Sequence, residues 1–157
     1  MEVLKTDKLD PSKRLICMVG LPYSGKSTKA KQLGYPIVNP DSIRVALHGH
    51  KFIQEAEPYV WAIAKTMVRS LFLSGHDTVI LDATNTTENR RKEWLSKEWT
   101  TYFECVKTTV HKCIERAVMI GDDGMIPIIN SMAKKITFPL EFNGSILEVM
   151  PPIAKPK

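Results

Sequence analysis

The feature that most constrains this chain is the stretch Gly-Leu-Pro-Tyr-Ser-Gly-Lys-Ser-Thr at residues 20–28, which matches the P-loop pattern G-x-x-x-x-G-K-[ST]. Glycine at positions 20 and 25 lets the backbone turn so that its N–H groups point inward at phosphate oxygens. The Lys26 ammonium would reach the β- and γ-phosphates, and the Ser27 hydroxyl would bind Mg²⁺. The nucleotide-binding residues predicted in this loop are Gly20, Tyr23, Ser24, Gly25, Lys26, Ser27 and Thr28.

The segments on either side of the loop are those that a P-loop requires. Residues 14–19 form a continuous apolar run after Arg14, which is typical of a buried parallel strand. Residues 26–33 predict a short helix that ends at Gly34. The positive end of this helix and its free N–H groups add to the anion site.

The length of 157 residues predicts one domain, which we place at residues 14–150, between a polar N-terminal arm at 1–13 and a Pro-rich, basic tail at 151–157. No apolar run approaches the length of a membrane span, and the first residues are too polar for a secretory signal. We therefore expect a soluble, cytoplasmic protein with no membrane partner. The net charge of +5 is compatible with a polyanionic partner but does not prove one.

The three cysteines are odd in number and lack C-x-x-C spacing, which predicts reduced residues of the core. His111 and Cys113 are too isolated to favour a metal site. The cysteines are Cys17, Cys105 and Cys113.

Apolar runs alternate with helical patterns along the rest of the chain, which predicts an α/β fold with a mainly parallel sheet covered on both faces. Two late helices, separated by a Gly-Asp-Asp-Gly turn at 121–124, predict a lid at about residues 112–136. Further strands are expected at 35–39, 77–82 and 102–110, and helices at 41–48, 58–74, 87–97, 111–120 and 126–135. On the helix at 87–97, Trp94 and Leu95 are expected to point inward and the basic run 90–92 partly outward.

Two carboxylates are predicted at the carboxyl ends of strands, where open α/β sheets bind ligands. Asp41 follows the second strand and can N-cap the next helix, with Arg44 one helical turn later. Both side chains can then reach one bound group. Asp82 ends an apolar strand and is the expected partner of the P-loop in holding Mg²⁺.

Taken together, these blocks resemble the P-loop 5′-hydroxyl polynucleotide kinases of the phage type. The family pattern runs P-loop, Asn-x-Asp-x-x-Arg, an apolar strand with Asp and Thr-Asn, and Arg-Arg. Here the later blocks are 39–44, 79–85 and 88–91, and a degenerate C-terminal block follows at 138–144. The resemblance covers about residues 14–150 and implies a P-loop NTPase fold, adenylate-kinase-like, with three α/β/α layers and a helical lid.

This resemblance implies transfer of the ATP γ-phosphoryl group to the 5′-hydroxyl of a DNA or RNA end, with Mg²⁺, in nucleic acid repair. Asp41 would be the general base, Arg44 would bind phosphate of the acceptor strand, and Arg116 would bind the donor phosphates. The residues implied at the acceptor are Asp41, Arg44, Asn85 and Arg90, and those at the metal are Ser27 and Asp82.

The chain departs from the family pattern at two positions. Ile120 stands where the phage enzymes carry a second lid arginine, and Tyr23 stands where the family often has Gly. Neutralisation of the charge in the transition state would then depend more on Lys26, Arg116 and the metal. We expect no phosphatase module of the kind that bifunctional relatives carry, since no hydrophobic strand in residues 1–157 leads into D-x-D-x-T.

Two other functions fit the same motifs. A kinase for a small hydroxylated acceptor, such as a sugar, nucleoside or modified base, could use the same aspartate. A non-kinase ATPase or nucleotide switch is the other alternative. The motifs leave open the choice of DNA or RNA, the donor purine and the number of subunits.

Overall fold

A computed structural model describes residues 12–49 and 52–139 of the chain. The predicted tail at 151–157, the end of the predicted domain at 140–150 and all but two residues of the predicted arm at 1–13 lie outside this part. Most of the degenerate block at 138–144 lies outside it as well.

Four strands of the described chain form one parallel sheet in the order β2-β3-β1-β4. The first strand lies centrally, with Ile16 paired with Ile80 on one side and with Tyr102 on the other. This arrangement confirms the prediction of a parallel sheet. The strands are β1 (Arg14–Val19), β2 (Ile37–Val38), β3 (Thr78–Leu81) and β4 (Thr100–Cys105).

Helices connect these strands as expected for a parallel sheet. No helix among the described residues is long and apolar enough to cross a membrane. Short 3₁₀ turns occupy Gln54–Ala56 and Asp123–Met125. The helices are α1 (Lys26–Leu33), α2 (Pro40–His48), α3 (Glu57–Leu73), α4 (Glu88–Lys92), α5 (Val110–Met119) and α6 (Ile126–Lys135).

Alternate side chains of β1 enter two different cores, because successive side chains of a strand point to opposite faces. Leu15, Cys17 and Val19 pack in a cluster with the buried face of α3. Ile16 and Met18 pack in a second cluster with Ala30 of α1. The sheet is therefore covered on both faces, and the loop after β1 emerges between the two layers.

The helix expected at 87–97 is shorter than predicted, since α4 ends at Lys92. Trp94 is fully buried as expected, but the prediction that Leu95 points inward is wrong, because Leu95 is 43% exposed. The indole of Trp99 donates a hydrogen bond to the Trp94 carbonyl. Both tryptophans thus pack in the core beside α3. This packing ends the helix earlier than its sequence pattern predicts.

The last strand also differs from the expected 102–110, since β4 begins at Thr100 and ends at Cys105. β4 pairs with β1 only up to Val19, the last residue of β1. Val106 still donates to the carbonyl of Val19, but beyond Val19 the chain turns into the glycine loop. The later residues therefore have no neighbouring strand on that side.

Candidate active site

The loop after β1 has the backbone conformation of an anion cradle. Gly25 has φ +98°, and Tyr23 has φ +63°, a left-handed conformation that few non-glycine residues adopt. Gly20 is buried, and its N–H donates to the carbonyl of Thr84. A Cβ at position 20 would lie 2.8 Å from both the Ser24 hydroxyl and the Val106 carbonyl oxygen, so only glycine fits there.

We expect Gly20→Ala to destabilise the protein by about 1–3 kcal/mol, because the Val106 carbonyl is backbone and cannot move aside freely. Urea unfolding measures this change. Gly124→Ala is the matched control, since a Cβ there meets nothing within 4 Å. Equal unfolding midpoints for the two variants would contradict the tight fit at Gly20.

Lys26 begins α1 and is almost fully buried at the loop, where its Nζ donates to the Leu21 carbonyl at 2.9 Å. Burial lowers the pKa of this ammonium, whereas the nearby carboxylates of Asp82 and Asp41 act in the opposite direction. A buried cation with one neutral partner is poorly compensated. A phosphate oxygen in the loop would supply the missing negative charge.

Ser27 and Asp82 meet although they are far apart in sequence, because β3 lies beside β1. The Ser27 hydroxyl donates to Asp82 Oδ2 at 2.6 Å. Hard oxygen ligands of this kind fit Mg²⁺. The described residues hold no cluster of three His, Cys, Asp or Glu side chains suited to a metal, so an ion here would complete its shell with nucleotide oxygens and water.

The two remaining loop residues differ in their surroundings. Ser24 is buried, its carbonyl accepts a hydrogen bond from the Thr108 hydroxyl at 2.7 Å, and its own Oγ has no partner. This unpaired hydroxyl is available to a ligand in the loop. Thr28 lies exposed in the first turn of α1.

The residue that caps α2 is Asn39 and not Asp41, which corrects the sequence-based prediction. The Asn39 side chain accepts hydrogen bonds from the N–H groups of Asp41 and Ser42. Asp41 is the second residue of the helix, in its first turn, and 72% of its side chain is exposed. Its carboxylate is therefore free of the capping role.

Asp41 and Arg44 come together as the spacing predicts. Arg44 Nη1 donates to Asp41 Oδ1 at 2.6 Å. Glu57, at the start of α3, binds the same guanidinium through both carboxylate oxygens, at 2.9 and 2.6 Å. These bonds raise the pKa of Arg44 above its ordinary value, with Glu57 as the main cause.

Glu57 was missed by reasoning from the sequence. An acidic residue in the first turn of a helix is common, so position 57 alone carried no signal. Its role follows from the packing of α2 against α3, which brings Glu57 within reach of a residue 13 positions earlier.

Arg90 and Asn85 are the other residues predicted at the acceptor. The Arg90 side chain is 40% exposed, whereas Asn85 is buried. The Arg90 guanidinium lies 4.6 Å from the ring centroid of Trp61, and that of Arg44 lies 5.8 Å from the same centroid. Asn85 is buried at φ +45°, donates to the Met18 carbonyl at 2.8 Å and leaves its Oδ1 without a partner. The Asn85 side chain is therefore also hydrogen-bonded to the backbone near the end of β1.

Arg91 is buried, whereas the sequence suggested that the basic run 90–92 points partly outward. Its guanidinium donates to the carbonyl of Asn85 and to the carbonyl and hydroxyl of Thr137. Arg91 thus fastens the chain after α6 to the loop after β3.

Arg116 projects from α5 toward the P-loop. Its Nη1 donates to the Tyr23 carbonyl at 3.1 Å and lies 3.5 Å from the place where a Cβ on Gly25 would stand. Ile120, in contrast, is 67% exposed at the end of the same helix. Among the described basic residues of α5, Arg116 is thus the one in contact with the loop.

Comparison with solved structures shows the fold in other proteins. A chain of a Pnkp1/Rnl/Hen1 complex matches with a TM-score of 0.62 and 23% identity, over 70% of this chain and 40% of that chain. A putative kinase from Chloroflexus aurantiacus j-10-fl matches with a TM-score of 0.60 and 19% identity, over 88% and 85% of the two chains. A gluconokinase from Sinorhizobium meliloti 1021 matches with a TM-score of 0.54 and 17% identity, over 90% and 86%.

These likenesses concern the fold, since every identity is below 25%. The match spans well under half the length of the Pnkp1/Rnl/Hen1 chain. No curated protein sequence matches this chain.

At the level of sequence, residues 15–116, more than half of the chain, match the family model described as an AAA domain (AAA_33). The chain has the three-layer P-loop kinase fold and belongs to this AAA domain family.

Proposed function

We propose that the protein is a kinase that transfers the γ-phosphoryl group of ATP to the 5′-hydroxyl of a DNA or RNA strand. The observation that carries this proposal is the Asp41–Arg44 pair, an exposed carboxylate bonded to a fixed guanidinium beside the P-loop edge of the sheet. Asp41 is close enough to Lys26 to influence its pKa. The proposed base and the proposed phosphate-binding cation of α2 would thus act together at one reaction centre.

Asp41 would accept the proton of the attacking hydroxyl, whose oxygen forms a bond to the γ-phosphorus as the bond to the ADP oxygen breaks. Lys26 and Arg116 would neutralise the phosphoryl oxygens, and the loop N–H groups would position them. Ser27 and Asp82 would hold Mg²⁺, whose positive charge would offset that of the phosphates when it is bound. The described residues otherwise contribute orientation, which phosphoryl transfer chiefly needs.

A polynucleotide acceptor is supported by two cations and an indole at one place. Arg44 and Arg90 both lie over Trp61, so a phosphate bound by Arg90, which is otherwise paired with Glu93, would lie near the Asp41–Arg44 pair. The motif pattern of residues 39–44 and 79–91 supports the same acceptor. The fold by itself selects no acceptor, because it is shared with a chain of an RNA repair complex and with a gluconokinase.

A kinase for a small neutral acceptor is the second candidate, and the charges around Arg44 favour it. The guanidinium is already bonded to two carboxylates, Asp41 and Glu57, so this group of three carries a net charge of about −1. A sugar or nucleoside hydroxyl would meet no repulsion there, whereas a phosphate must displace one carboxylate.

Labelling from γ-labelled ATP tests the proposal. A 5′-hydroxyl oligonucleotide, pooled nucleosides and pooled sugars are offered separately with Mg²⁺, at a series of salt concentrations. We expect label in the oligonucleotide, with an affinity that falls steeply as salt rises. Label in a small neutral acceptor, with little salt dependence, would establish the second candidate instead. ATP hydrolysis without any labelled acceptor would reject both.

Glu57→Gln should slow transfer by about 10- to 100-fold while ATP affinity stays unchanged, because Arg44 loses its fixed orientation and Asp41 moves with it. Initial rates and calorimetric ATP binding measure the two quantities. Glu55→Gln, an exposed carboxylate two residues earlier, is the control. Equal rates for both variants would show that Glu57 does not orient the pair.

A further inference from the structure

Tyr23 connects the P-loop to the helical hairpin made of α5, the 120–125 turn and α6. Its hydroxyl donates to Asp122 Oδ2 at 2.5 Å, although the two residues are 99 positions apart. This bond raises the pKa of Tyr23 above its ordinary value, and burial acts in the same direction. The phenol therefore remains a hydrogen-bond donor throughout the neutral range.

The conformation of Tyr23 is costly, which indicates that its contacts compensate for it. A non-glycine residue in the left-handed region costs about 1–2 kcal/mol per residue. At φ +63° Tyr23 occupies this region inside the loop itself. Its ring packs against a cluster of Leu21, Ala117 and Ile129, which joins the loop to both helices of the hairpin. The strain is thus maintained by contacts with α5 and α6.

The backbone of Tyr23 makes a second connection to the same hairpin. Its carbonyl accepts the hydrogen bond from Arg116 Nη1. The turn that carries Asp122 is joined to α5, because the Asp122 N–H donates to the Ala117 carbonyl at 2.9 Å. The hydroxyl bond therefore fixes the end of the helix from which Arg116 projects.

We propose that Tyr23 and Asp122 are positioning residues that hold Arg116 over the phosphate loop before the nucleotide binds. The Tyr23–Asp122 bond restrains the hairpin, and the Tyr23 carbonyl restrains the guanidinium, so the cation is in place when phosphates arrive. A preset cation binds its anion with less loss of conformational entropy than a free one. This inference rests on the nucleotide-binding part of the proposed function and is independent of the acceptor.

Hydrogen exchange tests the restraint without any nucleotide. Tyr23→Phe keeps the ring and the fold but removes the donor, and Asp122→Ala removes the acceptor. We expect amides of residues 112–135 to exchange at least about 10-fold faster in both variants, because a charge-assisted bond is lost, while amides of β1 and β3 stay unchanged. Asp123→Ala, an exposed carboxylate in the same turn, is the control and should match the wild type. Unchanged exchange in Tyr23→Phe would overturn the proposal.

Calorimetric binding of a non-hydrolysable ATP analogue tests whether the restraint acts through Arg116. Tyr23→Phe should weaken binding by about 10-fold in the wild-type background and by less than about twofold in an Arg116→Ala background, because the effect passes through that side chain. Asp122→Asn retains an acceptor oxygen and should therefore lose less affinity for the analogue than Asp122→Ala. Equal effects of Tyr23→Phe in both backgrounds would reject positioning of Arg116. If the wild type failed to bind the analogue, the proposed function itself would be rejected.

Discussion

Asp41→Asn should lower the rate of phosphoryl transfer by about 10²–10⁴-fold, the range that a positioned general base contributes. The amide keeps the shape of the side chain and can still accept a hydrogen bond from Arg44, but it cannot take the proton of the attacking hydroxyl. Asn39, and not Asp41, caps α2, so the helix should not be affected. Single-turnover transfer with labelled ATP measures the rate.

The affinity for ATP and the stability of the Asp41→Asn variant distinguish a chemical role from a structural one. Because most of the Asp41 side chain is exposed, we expect unfolding free energies within about 0.5 kcal/mol of the wild type. ATP affinity should change by less than about twofold, since a general base contributes to the transition state and little to ground-state binding. Ser42→Ala, an exposed neighbour, is the control. A parallel loss of ATP binding would make Asp41 a structural residue.

Lys26→Met should reduce transfer by at least about 10³-fold, because it removes a buried positive charge that, in the proposed reaction, would neutralise the transferred phosphoryl group. ATP binding should weaken as well, in contrast to the effect of Asp41→Asn. Lys31→Met, an exposed lysine on the same helix, is the control and should retain activity. Initial rates and calorimetric binding of the two variants make the comparison.

The same substitution should leave the nucleotide-free protein as stable as the wild type or more stable. Burial lowers the pKa of Lys26, so the folded protein bears a cost for keeping this side chain charged. Methionine has a similar length and no charge, so the cost disappears while the packing remains. Urea unfolding measures this change. A loss of more than about 1 kcal/mol would show that the bond to the Leu21 carbonyl outweighs desolvation.

The sequence was informative where one short segment determines the structure. The apolar run 14–19 and the helix 26–33 form with the predicted bounds, because strand, glycine loop and helix follow one another along the chain. Asp82 meets Ser27 as expected, since the carboxyl ends of neighbouring parallel strands lie at one edge. Asp41 and Arg44 meet because three residues make about one helical turn.

Features that depend on contacts between distant segments were not predictable in this way. The end of α4 depends on two tryptophans that fill the core beside α3. The bonds from Glu57 to Arg44 and from Tyr23 to Asp122 join segments whose approach follows from packing and not from spacing. The sequence predicts Tyr23 as a nucleotide-binding residue that departs from the family pattern, but its partner 99 residues later carries no pattern of its own.

The most direct test of the central claim is transfer of label from γ-labelled ATP to one oligonucleotide prepared with either a 5′-hydroxyl or a 5′-phosphate. The 5′-phosphate form has the same bases and length but carries a phosphate group, with up to about two more negative charges, in place of the hydroxyl whose proton Asp41 would accept. We predict label in the 5′-hydroxyl form alone, at a rate that Asp41→Asn lowers by about 10²–10⁴-fold. Label in neither form, or in both, would contradict the proposed reaction.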